Sequence, residues 1–207
     1  MTIVLHHLNA SRSSRIVWLL EELKDAYGLD YELVRHSRDA DTNLAPAALS
    51  EVHPLGKAPL LVDDGVVIAE SGAIAEYLVA KYDPGHKLHP AVTDPAFPTY
   101  LEWVHAAEGS PFLPGLLLFY LMRSELLDHP MAAYVEAERD KAINVVDAHL
   151  ADNAYFAGDV FTAADCLMGF MLTSAQGSGA LEGRTASLSY LKKVAQRPAF
   201  ERTAALI

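Results

Sequence analysis

The chain has 207 residues, 51% of them hydrophobic and 21% charged, which allows a packed core and excludes a disordered chain. Asp and Glu outnumber Lys and Arg by 27 to 16, a formal charge of −11. This excludes nucleic acid as the main partner, because phosphate neutralisation needs a basic face. The single cysteine, Cys166, excludes an intramolecular disulfide or dithiol pair within the chain and fits a reducing compartment.

The first residues, MTIVLHHLN, lack a basic leader, and their apolar run is broken by His6 and His7. The longest apolar stretch, 112–122, contains Pro114 and Gly115 and is about half of what a membrane span requires. The expected setting is cytoplasmic, with no membrane partner.

Residues 2–8 are β-branched and apolar and predict a buried strand. Ile16, Val17, Leu19, Leu20 and Leu23 then recur at helical spacing, which predicts a helix over 13–26 with Glu21 and Glu22 facing outward. A second strand fits 31–35, followed by a short helix near 45–50. Two apolar runs, 59–62 and 66–69, flank Asp63-Asp64-Gly65, a strong hairpin signal. A helix over 71–81 closes a β-α-β-α-β-β-α unit spanning 1–83. Residues 84–93, rich in Pro, Gly and His, read as a linker. Beyond it the pattern is all-helical over 94–207, with helices at 94–124, 130–151, 163–175 and 187–195 and a last one near 198–206. The fold class is therefore α/β followed by all-α. Charge does not separate the halves.

Chemistry concentrates at three junctions of the first unit. The turn Asn9-Ala10-Ser11-Arg12-Ser13-Ser14-Arg15 puts hydroxyls where orphan N–H groups and the positive end of a helix dipole converge. That corner favours an anion and lowers the pKa of a thiol placed there; a serine that merely caps the helix explains the same residues. Pro59, at the start of a strand, is where a cis bond would turn the backbone of Ala58 outward for a peptide to pair with, with Lys57 close by as a carboxylate partner. An ordinary edge-strand proline is the simpler alternative. Glu70-Ser71 sits at another strand-to-helix step, with Ser71 as a natural N-cap suited to a carboxylate and Glu70 able to accept an ammonium. Together the three sites match a short peptide with a central thiol and carboxylates at its ends.

With those residues in view, the chain resembles a cytosolic-type glutathione S-transferase over essentially its whole length, with a serine-like first turn of bacterial or fungal type. The resemblance rests on Leu8-Asn9-Ala10-Ser11-Arg12-Ser13-Ser14-Arg15, His53-Pro54-Leu55-Gly56-Lys57-Ala58-Pro59, Glu70-Ser71 with Ala73-Ile74 and Tyr77-Leu78, Phe161-Thr162-Ala163-Ala164-Asp165, and Arg197-Pro198. It implies a thioredoxin-like first domain and a helical second domain. Pro59 resembles the family's cis-proline, and Ala58 the residue whose backbone bonds the cysteinyl part of glutathione. Glu70 and Ser71 resemble the pair that holds the γ-glutamyl group, and Lys57 a residue that reaches the glycyl carboxylate. Ser11 resembles the hydroxyl that contacts sulfur. A shift of one or two residues in the turn would put Ser13 or Asn9 in that role.

The implied activity is activation of the glutathione thiol for attack on a small, hydrophobic electrophile. A peroxidase, isomerase, β-etherase or disulfide-bond reductase, or a non-catalytic binding module, would use the same scaffold. Glutathione enters as co-substrate, no metal is called for, and a homodimer is the family expectation. Thr162–Asp165 reads as a capping box with a structural role, and Cys166 as a buried thiol. His86 and His89 read as a solvated loop, and only one of His6 and His7 can face the site.

Overall fold

Burial along the first strand alternates, with Ile3, Leu5 and His7 inward and Val4 and His6 less so. This is the period-2 signature of a strand covered on one face. In the computed structural model, which describes residues 2–207, it is β1 (Ile3–Leu8), followed by α1 (Ser13–Tyr27), β2 (Glu32–His36), α2 (Ala48–Val52), β3 (Leu60–Asp63), β4 (Val66–Ala69) and α3 (Ser71–Tyr82). The sheet order is β2-β1-β3-β4. β1 runs parallel to β2 and antiparallel to β3, and β3 pairs antiparallel with β4. The expected β-α-β-α-β-β-α order holds. Asp64 and Gly65, at φ 47° and 87°, turn the β3–β4 hairpin with two left-handed residues, as a tight hairpin loop requires.

Ile16, Val17, Leu19, Leu20 and Leu23 of α1 are fully buried, as their spacing predicts. Glu21 and Glu22 are buried as well, which corrects the expectation that they face water. The cause is α9 (Pro198–Leu206), which packs on α1 in the same compact unit. That unit runs to His89 and takes in Ala195–Ile207, so the chain's end departs from the expected all-helical unit of 94–207. Arg202 Nε donates to Glu21 at 2.6 Å and Arg197 grips Glu22, while Phe200 packs edge-on against Trp18 at 4.9 Å.

The second unit, Pro90–Val194, contains α4 (Phe97–Ala106), α5 (Leu113–Arg123), α6 (Pro130–Asp152), α7 (Ala163–Gly177) and α8 (Thr185–Val194). The single helix expected over 94–124 is two. Pro111 and Pro114 cannot continue an i→i−4 ladder, and the chain turns through Gly109 between α4 and α5. The capping box opens α7: Asp165 accepts from the N–H of Thr162 at 2.8 Å, and also from the Phe156 N–H and the Tyr190 hydroxyl. Cys166 is fully buried beside it. Among the described residues no helix is long and apolar enough to cross a membrane.

Candidate active site

The register brings the three junctions to one edge of the sheet. His6 of β1 lies opposite Leu60 of β3, and Leu60 opposite Ala69 of β4. The end of β1, the start of β3 and the end of β4 therefore share an edge, where ligands of open α/β sheets bind. Beneath it Leu8, Leu49 and Leu60 form an apolar cluster with Ala45, Val52, Ala58 and Ala69 packed against it.

At the first junction, Ala10 adopts φ 47° and the chain enters α1 with Arg12 at the N-cap and no acidic residue in the first turn. Ser11 is half-buried, Ser13 buried and Asn9 exposed. Ser11 Oγ donates to the Leu8 carbonyl at 2.7 Å and lies 2.7 Å from Ser13 Oγ, which in turn lies 2.8 Å from His7 Nδ1. The positive end of α1 thus carries a linked pair of hydroxyls backed by an imidazole. Burial pushes the pKa of His7 down to about 4, helped by Arg35 and His36 on β2, so the ring is neutral at pH 7. Arg38 ties the turn from outside, donating to the Ala10 carbonyl at 2.9 Å.

At the second junction the Ala58–Pro59 peptide is cis. The β3 ladder begins at Leu60, so Ala58 lies beyond it, and Lys57 is exposed. At the third, Glu70 and not Ser71 takes the N-cap position of α3, at φ 72° and ψ 120° and exposed. This corrects the reading of Ser71 as cap. Ser71 is the first helical residue; it is buried and accepts a 3.4 Å hydrogen bond from Arg15 Nη1. The structure brings Ser11, Lys57, Ala58, Pro59, Glu70 and Ser71 to the one edge.

The sequence reading placed Arg15 in the first turn and let one of His6 and His7 face the site, but it gave neither a partner; Arg15 bonds Ser71 and His7 bonds Ser13. The signal for His7 was a polar residue in the inward-facing series Ile3, Leu5, His7. For Arg15 it was a cation next to the buried stripe of α1. His86 and His89 hydrogen-bond one another at 3.1 Å, His89 also meets Asp83 at 2.8 Å, and among the described residues no group of three or more His, Cys, Asp or Glu is placed to hold a metal.

Residues 2–80 match the family model described as glutathione S-transferase, N-terminal domain, and residues 110–198 match the C-terminal domain of the same family. The chain belongs to the glutathione S-transferase family. Among curated glutathione S-transferases, it is 41% identical over 189 residues to glutathione S-transferase 3 of Schizosaccharomyces pombe, covering 84% of this chain and 74% of that protein. It is 36% identical over 189 residues to glutathione S-transferase 3 of Zea mays, covering 87% and 84%. A crystal structure of a glutathione S-transferase from Actinobacillus pleuropneumoniae superposes with a TM-score of 0.87 at 34% identity, covering 98% of this chain and 91% of that one. The chain is thus a glutathione S-transferase enzyme, with the family's thioredoxin-like and helical domains.

Proposed function

We propose that this transferase binds glutathione along the edge formed by the three junctions and activates its thiol through Ser11, for attack on a small, hydrophobic electrophile. Glu70 takes the γ-glutamyl ammonium, and the N-terminus of α3 at Ser71 takes the γ-glutamyl carboxylate. Ala58, ahead of Pro59, pairs with the cysteinyl backbone, and Lys57 reaches the glycyl carboxylate. The contact at Ser71 uses the preference of anions for helix N-termini, and that at Ala58 uses backbone that lies ahead of the β3 ladder, where an extended peptide can pair with it.

The thiol enters a corner where the dipole of α1 and the Ser11 hydroxyl both favour negative charge, which lowers its pKa. Binding then aligns the thiolate, so the enzyme contributes pKa lowering and positioning. The one cysteine of the chain is buried in α7, so the reacting sulfur comes with the ligand. A cytoplasmic setting, where thiols stay reduced, fits that chemistry. A homodimer is supported by the apolar surface of α5 and the start of α6, where Leu117, Phe119, Tyr120, Met122 and Met131 are exposed; sedimentation tests it.

The observation that carries the reading is the meeting of Ser11, Pro59 and Glu70-Ser71 on one sheet edge. The test is titration of the enzyme-bound thiol in wild type and Ser11→Ala, with a panel of electrophiles that includes an aryl halide, a hydroperoxide and an aryl ether. The panel separates conjugation from peroxidase and β-etherase activities, and adding a disulfide and an isomerisable unsaturated ketone separates the reductase and isomerase alternatives.

A further inference from the structure

Ser13 Oγ, buried in the first turn of α1, has four polar neighbours: Ser11 Oγ at 2.7 Å, His7 Nδ1 at 2.8 Å, the Leu8 N–H at 3.1 Å and the Leu8 carbonyl at 3.2 Å. The hydrogens of this cluster can be assigned by following its donors and acceptors. His7 Nε2 is buried with no hydrogen-bond partner among the described residues. A proton there would be an orphaned buried donor, whereas a bare lone pair costs less. The neutral ring therefore carries its hydrogen on Nδ1 and donates it to Ser13.

With the His7 and Leu8 N–H groups donating to it, Ser13 Oγ has both lone pairs occupied. Its own hydrogen goes to its nearest acceptor, Ser11 Oγ. Ser11 Oγ also accepts from the Ser13 backbone N–H at 3.2 Å, so its lone pairs are filled in turn. What remains to Ser11 is its hydrogen, which rests on the Leu8 carbonyl at 2.7 Å and is free to swing to a better acceptor. The charged and titratable groups near the cluster include Arg12 in the turn and Arg15 one turn along α1, Arg35 and His36 of β2, and Arg38 on the outer side of the turn.

We propose that Ser13 and His7 are positioning residues that make the Ser11 hydroxyl a donor only, so that the site selects the thiolate of glutathione over the thiol. A thiolate accepts that hydrogen strongly, whereas a neutral thiol sulfur accepts it weakly and its own S–H finds no acceptor at Ser11; bonding that favours the charged form lowers its pKa. The proposal rests on the reading that Ser11 faces the sulfur.

The test is the pKa of the bound glutathione thiol, followed by thiolate absorbance, together with the pH profile of kcat/KM and the affinity for S-methylglutathione, which has no thiol to ionise. Ser13→Ala is expected to raise the bound thiol pKa by about 0.5–1 unit and to lower kcat/KM about three- to tenfold below that pKa. The high-pH plateau and the S-methylglutathione affinity stay within about twofold. His7→Leu moves the pKa in the same direction, and His7→Gln, whose amide N–H replaces the ring donor, restores it. An unmoved pKa in Ser13→Ala alongside a raised one in Ser11→Ala overturns the relay and leaves Ser11 in place. A drop in activity at every pH together with weakened S-methylglutathione binding also overturns it, because the residues are then structural. An unmoved pKa in Ser11→Ala removes the underlying reading instead.

Discussion

Arg197 grips Glu22 through two parallel hydrogen bonds, Nε and Nη2 each 2.6 Å from a carboxylate oxygen. Glu22 also accepts from Trp18 Nε1 at 2.9 Å. This clamp secures the end of the chain to α1, the helix whose first turn carries the hydroxyl pair. Arg197→Ala strands a buried carboxylate, so it is expected to destabilise the first unit by about 2–3 kcal/mol. Urea denaturation checks this, and Glu22→Gln in the Arg197→Ala background recovers part of the loss, because no unpaired charge is then buried.

Glu70 stands in a backbone region that favours glycine, at φ 72° and ψ 120°, and its side chain is exposed. The proposed role of Glu70 as ammonium acceptor therefore separates from its part in the fold. Glu70→Gly is expected to leave stability unchanged or to raise it by up to about 1 kcal/mol. In the same variant glutathione affinity falls at least about tenfold, through loss of the ammonium acceptor. Thermal denaturation and calorimetric titration with glutathione read the two effects on one protein.

His7 makes stability depend on pH. Its pKa falls from 6.5 to about 4 on folding, first through burial and then through Arg35 and His36. The native state therefore binds fewer protons than the unfolded chain between those values. The contribution is fully present above pH 6.5 and is lost as the pH falls through about 4. His7→Leu is expected to flatten the decline of stability over that window, as measured by urea denaturation at a series of pH values. An unchanged slope would mean that the ring is already solvated in the native state.

Asp165 is fully buried and collects the N–H groups of Phe156 and Thr162 and the hydroxyls of Thr162 and Tyr190. Asp165→Ala leaves those donors without their acceptor. It is expected to cost the helical unit about 3 kcal/mol or more, seen as an earlier denaturation midpoint, while Asp165→Asn, which keeps one acceptor oxygen, costs less.

Local features were the legible part of the sequence. Asp64-Gly65 announces its hairpin because two left-handed residues are needed there, and the helix over 198–206 announces itself through Pro198 at its start. The spacing of Ile16 to Leu23 names the buried face of α1. Long-range features were hidden. Glu21 and Glu22 read as solvated because the arginines that cover them lie more than 170 positions away along the chain. The break between α4 and α5 was readable from Pro111 and Pro114 but was masked by the continuous apolar run after Phe112. At the site, the residue types and their order were visible. That Ser71 is a helical residue bonded by Arg15, and that His7 stands behind Ser13, depends on strand register and on packing that no local motif reports.

The proposed activation of glutathione rests on Ser11 and the N-terminus of α1 stabilising its thiolate. It is tested most directly by the pKa of the enzyme-bound thiol in wild type and Ser11→Ala. The expected wild-type value lies more than about one unit below the ~8.5 of a free cysteine thiol, and it rises by about one unit or more in Ser11→Ala, with kcat/KM at neutral pH falling in step. A thiol pKa and turnover that are the same in the two proteins would contradict it and move the role to Ser13 or Asn9.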